Sequence, residues 1–262
     1  MSEKIGGLAR RMLAEFLGTG LLVAAVVGSG IAAVKLSPGN VGLELFENAA
    51  ATAGALAAII LAVGPASGAH LNPVVTLADR FFGGITTKAA AGYIAAQLAG
   101  GFAGSVVANL MFSHPAFELS TKTRSNGGIW LAEVVATFGL LLVIFGVTRT
   151  GRSSVAPFAV GAYIGGAYFF TSSTSFANPA VTFSRMFSDT FAGIRPSSAP
   201  AFVVAQLVGA ALAVAAIRVL YPHVDDMAED VVVPHHGSDR PAPVPAANGR
   251  GPRAPITRRT AP

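Results

Sequence analysis

Two asparagines are each followed by a proline, Asn72-Pro73 and Asn178-Pro179, and each pair opens a short apolar run. An Asn side chain can accept from the first free N–H groups of a helix, and Pro fits the first turn, where its missing N–H costs nothing. Each pair therefore reads as a helix N-terminus. The runs 71–82 and 177–187 are too short to cross a bilayer, which takes about 20 apolar residues. They predict re-entrant half-helices. Two such ends meeting near the bilayer centre would bring together partial positive charge and four amide N–H donors. A passing oxygen would be bound there with its hydrogens turned away, up and down the pore. That breaks a proton wire, and the positive field repels cations. The chemistry is binding and passage, not bond breaking.

Glu15 and Glu133 sit inside apolar stretches. A carboxylate at membrane depth is costly and needs partners. It serves either as a proton relay or as an acceptor for hydrogen bonds from nearby loops. Gln97 and Gln206 read as polar groups at helix or loop contacts. His70, two residues before Asn72, reads as a hydrogen-bonded structural residue or a pH-responsive one. There are no cysteines, and neither a metal-ligand spacing nor a nucleophile–base pair is evident. These features predict no enzyme activity, no metal and no cofactor.

The elements that must position these residues are long and apolar. Hydrophobic residues make up 52% of the 262 and charged residues 12%, about half the charge of a soluble domain. Mean hydropathy is +0.59. The 30 glycines suit close helix packing in lipid. Six spans are expected, at about 13–34, 49–63, 89–112, 129–147, 155–170 and 199–220. The first starts near Leu13 and reads as retained, not as a cleaved signal. The net charge of +5 lies in loops and tail, which predicts a lipid partner and no nucleic acid.

The order repeats. Ala14-Glu15-Phe16-Leu17-Gly18-Thr19 returns as Ala132-Glu133-Val134-Val135-Ala136-Thr137, Asn72-Pro73-Val74-Val75-Thr76 as Asn178-Pro179-Ala180-Val181-Thr182, and Ala96-Gln97-Leu98-Ala99-Gly100 as Ala205-Gln206-Leu207-Val208-Gly209. Each half holds three spans, an odd number, so the second enters the membrane inverted, with the functional site between the halves. The expected domain is 1–220, with repeat one at about 8–112 and repeat two at about 128–220. Residues 221–262 read as a disordered cytoplasmic tail. Its His235-His236 pair reads as solvated. Both termini are expected in the cytoplasm, which puts Lys4, Arg10, Arg11, Arg80, Lys88, Arg149 and Arg152 inside and leaves Lys35, Lys122, Arg124, Arg185 and Arg195 outside.

The stretches Ser67–Thr76 and Phe176–Thr182 resemble the paired signature loops of the aquaporin and glycerol-facilitator (major intrinsic protein) family. Val74 stands where that family usually has Ala. The resemblance spans about residues 8–220. It implies an all-α, right-handed bundle of six transmembrane helices and two half-helices, normally a homotetramer with one pore per subunit. The midplane would then be Asn72, Pro73, Val74, Asn178, Pro179 and Ala180. Glu15, Glu133 and His70 would support the loops.

In most of the family an Arg follows the second Asn-Pro-Ala and lines an outer constriction. Val181 stands there in this chain. Family spacing points to Thr52, Gly166 and Ser175 as its companions. Four small uncharged residues predict a wide, mildly polar filter. Arg185, one turn further on, is expected to snorkel to the outer surface rather than reach back. A bacterial branch with Val in place of the filter Arg is similar and is associated with arsenic-resistance gene sets. The resemblance thus implies a passive channel in a bacterial inner membrane for small neutral solutes, chiefly undissociated arsenous acid and related arsenicals. A general glycerol, urea and water facilitator is the alternative, and an ion-coupled secondary transporter is the reading from another class.

Overall fold

The computed structural model describes residues 2–149 and 153–221. Arg152 and nearly all of the tail, His235 and His236 included, lie outside the described residues. The described chain forms eight α-helices: α1 (Ser2–Leu36), α2 (Val41–Ser67), α3 (Pro73–Phe81), α4 (Thr87–Met111), α5 (Gly127–Arg149), α6 (Ala156–Phe170), α7 (Pro179–Ser184) and α8 (Ala199–Leu220). A 3₁₀ turn leads into α6, and another, Arg185–Phe187, extends α7. Six helices are long and two are the expected half-helices.

Five of the long helices are long and apolar enough to cross a membrane. The other, α6, has 15 residues, a length of about 22 Å. Helix α2 begins at Val41, eight residues before the expected Ala49. Glu44, Glu47 and Asn48 break the apolar pattern there, but each is held. Glu44 Oε1 accepts from the Gly39 amide at 3.1 Å and Glu47 Oε1 from the Ser37 hydroxyl at 2.7 Å. Asn48 donates to the Val26 carbonyl at 2.9 Å and to Ser29 Oγ at 2.8 Å.

Packing follows the repeat. Helix α1 packs on α4 and α2, α5 packs on α8 and α6, and α2 meets α6 across the halves. Each half-helix also crosses over: α7 packs on α4, and α3 on α8. Close backbone approach fixes the two long-helix pairs. A Cβ on Gly100 would run into the Phe16 carbonyl, and one on Gly209 into the Val134 carbonyl. These are equivalent positions of the two repeats, each on the residue after the buried Glu. Only glycine permits that separation, and in lipid such contacts hold helices together.

Candidate functional site

The loops before the two half-helices are strained. Ala69, Leu71, Ser175 and Ala177 have φ of 48°, 52°, 50° and 47°, left-handed conformations that cost about 1–3 kcal/mol each in a non-glycine residue. Buried carboxylates hold them. Glu15 accepts from the His70 amide at 2.9 Å, the Leu71 amide at 2.7 Å and the Ser67 hydroxyl at 2.7 Å. Glu133 accepts from the Phe176 and Ala177 amides, both at 2.9 Å. Gln97 donates to Glu15 at 2.7 Å and to Thr76 at 3.0 Å, while Gln206 donates to Glu133 at 2.6 Å and to Thr182 at 2.9 Å. Both carboxylates thus accept from backbone amides of the loop before a half-helix.

Each Asn caps its half-helix. Asn72 Oδ1 accepts from the Val74 amide at 3.0 Å, and Asn178 Oδ1 from those of Ala180 at 2.9 Å and Val181 at 3.2 Å. Pro73 and Pro179 occupy the first turns. The amide nitrogens cross over: Asn72 Nδ2 donates to the Ala177 carbonyl and Asn178 Nδ2 to the Leu71 carbonyl. Val74 is fully buried against the core and does not line the cavity that the two asparagines share.

Both asparagines line one narrow cavity of about 60 Å³. Its lining is mostly apolar and includes Leu22, Val26, Leu56, Ile60, Leu140, Ile144 and Ile164. The polar residues of the lining are His70, Asn72, Asn178, Ser175, Thr52, Tyr168 and Arg185. His70 is buried, with Nδ1 3.1 Å from Thr76 Oγ1 and Nε2 3.5 Å from Asp79 Oδ2, and its ring meets the Tyr93 ring edge-on. It also lines the cavity. Asp79, its partner, was not singled out by the sequence pattern.

Thr52, Ser175 and Val181 all line the cavity, but Gly166 does not. It is exposed, and a Cβ there would meet nothing within 4 Å. Tyr168 lines the cavity instead, sharing a 3.2 Å hydrogen bond with Thr52. Two residues on a helix turn through about 200°, so a two-residue slip in counting points to the opposite face. Arg185 also departs from expectation. It is 2% exposed, lines the cavity, stacks 3.5 Å from the Phe176 ring centroid and donates from Nε to the Ala192 carbonyl. A long side chain from the last turn of a buried half-helix has a ring and a carbonyl within reach, and these hold it inward. The wall near Val181 is therefore neither uniformly small nor uncharged.

Comparison with known proteins decides the family. The profile of the major intrinsic protein family matches residues 3–177 and 157–241. The chain belongs to the major intrinsic protein family. It is 49% identical over 211 residues to "Aquaglyceroporin AqpS" of Rhizobium meliloti (strain 1021), covering 80% of this chain and 90% of that one. It is 32% identical over 235 residues to "Aquaporin AqpM" of Methanothermobacter marburgensis, covering 79% and 95%. The X-ray structure of the aquaglyceroporin from Plasmodium falciparum superposes with a TM-score of 0.64 at 24% identity, covering 83% of this chain and 99% of that one. That last likeness concerns the fold.

This major intrinsic protein is thus an aquaglyceroporin-type passive membrane channel for small solutes, not an enzyme. The residues that sequence reasoning missed are Tyr168, Phe176 and Asp79, together with the inward turn of Arg185. An aromatic in the last turn of α6 was the available signal for Tyr168. No local signal marks Asp79, whose partner His70 is nine positions away on a loop.

Proposed function

We propose that this channel passes small neutral polyhydroxyl solutes and that its cellular cargo is trivalent arsenic, as undissociated As(OH)₃, with related arsenicals. The observation that carries the reading is a set of three hydroxyls, on Thr52, Tyr168 and Ser175, in a cavity lining that is otherwise mostly apolar. Ser175 Oγ has no hydrogen-bond partner among the described residues, so it is free to meet a solute. As(OH)₃ offers three hydroxyls and one bare face, and it matches such a lining without any charge to desolvate. Val181 supports the reading by placing an apolar side chain in the lining where most of the family carries an Arg.

The Asn pair supplies the midplane step. Each amide spends one N–H on the opposite loop and keeps one for a solute oxygen. The protein acts as a homotetramer in a bacterial inner membrane with both termini in the cytoplasm. The basic residues support that orientation, and the family resemblance supports the tetramer.

Arsenite uptake and stopped-flow light scattering on the same proteoliposomes test the cargo. Arsenite flux well above protein-free liposomes is the expected result. Glycerol or urea flux without arsenite flux rejects the arsenical and leaves the general facilitator. Flux that requires a proton or sodium gradient would instead establish a coupled transporter.

A further inference from the structure

We propose that Arg185 is the specificity-determining cation of this conduit, held at the outer constriction from one helical turn beyond Val181. This rests on the cavity being the conducting path and not on the identity of the cargo. A guanidinium carries five N–H donors. Arg185 spends its Nε on the Ala192 carbonyl, and no described residue accepts from Nη1 or Nη2. It is nevertheless 2% exposed and lines the cavity. A buried cation with four unspent donors on a passage wall is placed to meet what passes.

Its position is built, not accidental. Three consecutive carbonyls of the loop before α8 are taken by three basic residues. The Phe191 carbonyl accepts from Lys122 Nζ at 2.8 Å and Arg124 Nη2 at 3.3 Å, the Ala192 carbonyl from Arg185, and the Gly193 carbonyl from Arg124 Nε at 2.9 Å. Arg124 and Arg185 both lie over the Phe176 ring, at 5.2 and 3.5 Å. The ring in turn packs edge-on against Phe202. The Arg185 carbonyl accepts from the Ile194 amide at 3.3 Å, which closes the loop over it. Among the described residues no carboxylate pairs with Arg185. Asp189, the nearby acid of this loop, is occupied by Thr121 and Ser120.

The consequence differs from that of a wide uncharged filter. Glu133 lies within electrostatic reach of Arg185 but not in ion-pair contact with it, and a guanidinium without a directly bound carboxylate in a narrow, poorly solvated passage repels cations. Its free N–H groups donate to solute oxygens in the same cavity that the hydroxyls of Thr52 and Tyr168 line. The conduit therefore selects neutral oxygen-rich solutes and excludes sodium and protons, although Val181 carries no charge.

The test uses full-length protein in proteoliposomes. Wild type, Arg185→Gln, Arg185→Lys and the exchange Val181→Arg with Arg185→Val are compared for cation leak, water flux and glycerol flux. Arg185→Gln is expected to raise cation leak relative to water flux by roughly tenfold or more, and the exchange is expected to restore exclusion. Arg185→Lys keeps the charge but loses the planar fork, so exclusion persists while the glycerol-to-water ratio shifts. This second variant decides the matter if the Gln variant fails to fold. Unchanged leak and unchanged ratio in both single variants overturn the proposal. A wild type that passes neither water nor glycerol would defeat the conduit itself, a separate outcome.

Discussion

Asn72 and Asn178 hold each other's loops. Asn72 Nδ2 donates to the carbonyl of Ala177 at 2.8 Å, and Asn178 Nδ2 donates to the carbonyl of Leu71 at 2.7 Å. In each case the acceptor is the residue immediately before the other asparagine. The two half-helices are thus locked tip to tip by a reciprocal pair of buried hydrogen bonds. The same side chains that face the solute also set the spacing of the halves.

Asn178→Ala removes a cap shared by two amides and one arm of this lock. A lost cap costs about 0.5–2 kcal/mol and an orphaned buried carbonyl about 1–3 kcal/mol. The variant should lose roughly 2–4 kcal/mol, read as a lower thermal unfolding midpoint in detergent. An unchanged midpoint would mean that the crossed bonds do not couple the loops.

Thr52 and Gly166 lie on opposite sides of the filter question. Thr52→Phe places a ring against Tyr168 inside the conduit. It should cut glycerol flux roughly tenfold and water flux less, because pore width discriminates against the larger solute first. Gly166→Ala adds a methyl group where nothing lies within 4 Å, so both fluxes should stay at the wild-type level. Stopped-flow shrinkage and swelling report both. A glycerol defect in the Gly166 variant would restore that residue to the filter.

Lys122 gives the stability a pH dependence. Desolvation at the outer loop, and then the like charges of Arg124 and Arg185, lower its pKa from 10.5 to about 8. Between those values the unfolded chain keeps a proton that the folded chain has released. Stability contributed by this group therefore rises as pH increases from about 8 to 10.5 and is level outside that window. Lys122→Met should flatten this component, measured as the difference between wild-type and variant unfolding midpoints at pH 7.5 and pH 10. A constant difference across that range would show that Lys122 is not perturbed.

Much of this was legible in the residues. The half-helices, their Asn caps and the equivalence of Glu15 with Glu133 follow from spacing alone. Apolar length, helix-start chemistry and a repeated pattern are local properties, each carried by a few neighbouring residues. The early start of α2 was hidden because Glu44, Glu47 and Asn48 look like a break in a span. Their partners, Ser37, Gly39, Val26 and Ser29, come from α1 and the turn after it. Hydropathy does not register a polar residue that another element satisfies.

By itself the sequence determined that this chain builds two inverted halves, each presenting one asparagine at the tip of a short helix. Only the tertiary structure decided what surrounds the passage. It turned Gly166 outward and Tyr168 inward, because two positions along a helix reverse its face. It drew Arg185 in over Phe176, because a ring and a carbonyl brought by other loops hold a guanidinium that its own half-helix leaves without a partner. Wall composition depends on rotation and long-range contact, and no run of neighbouring residues encodes either.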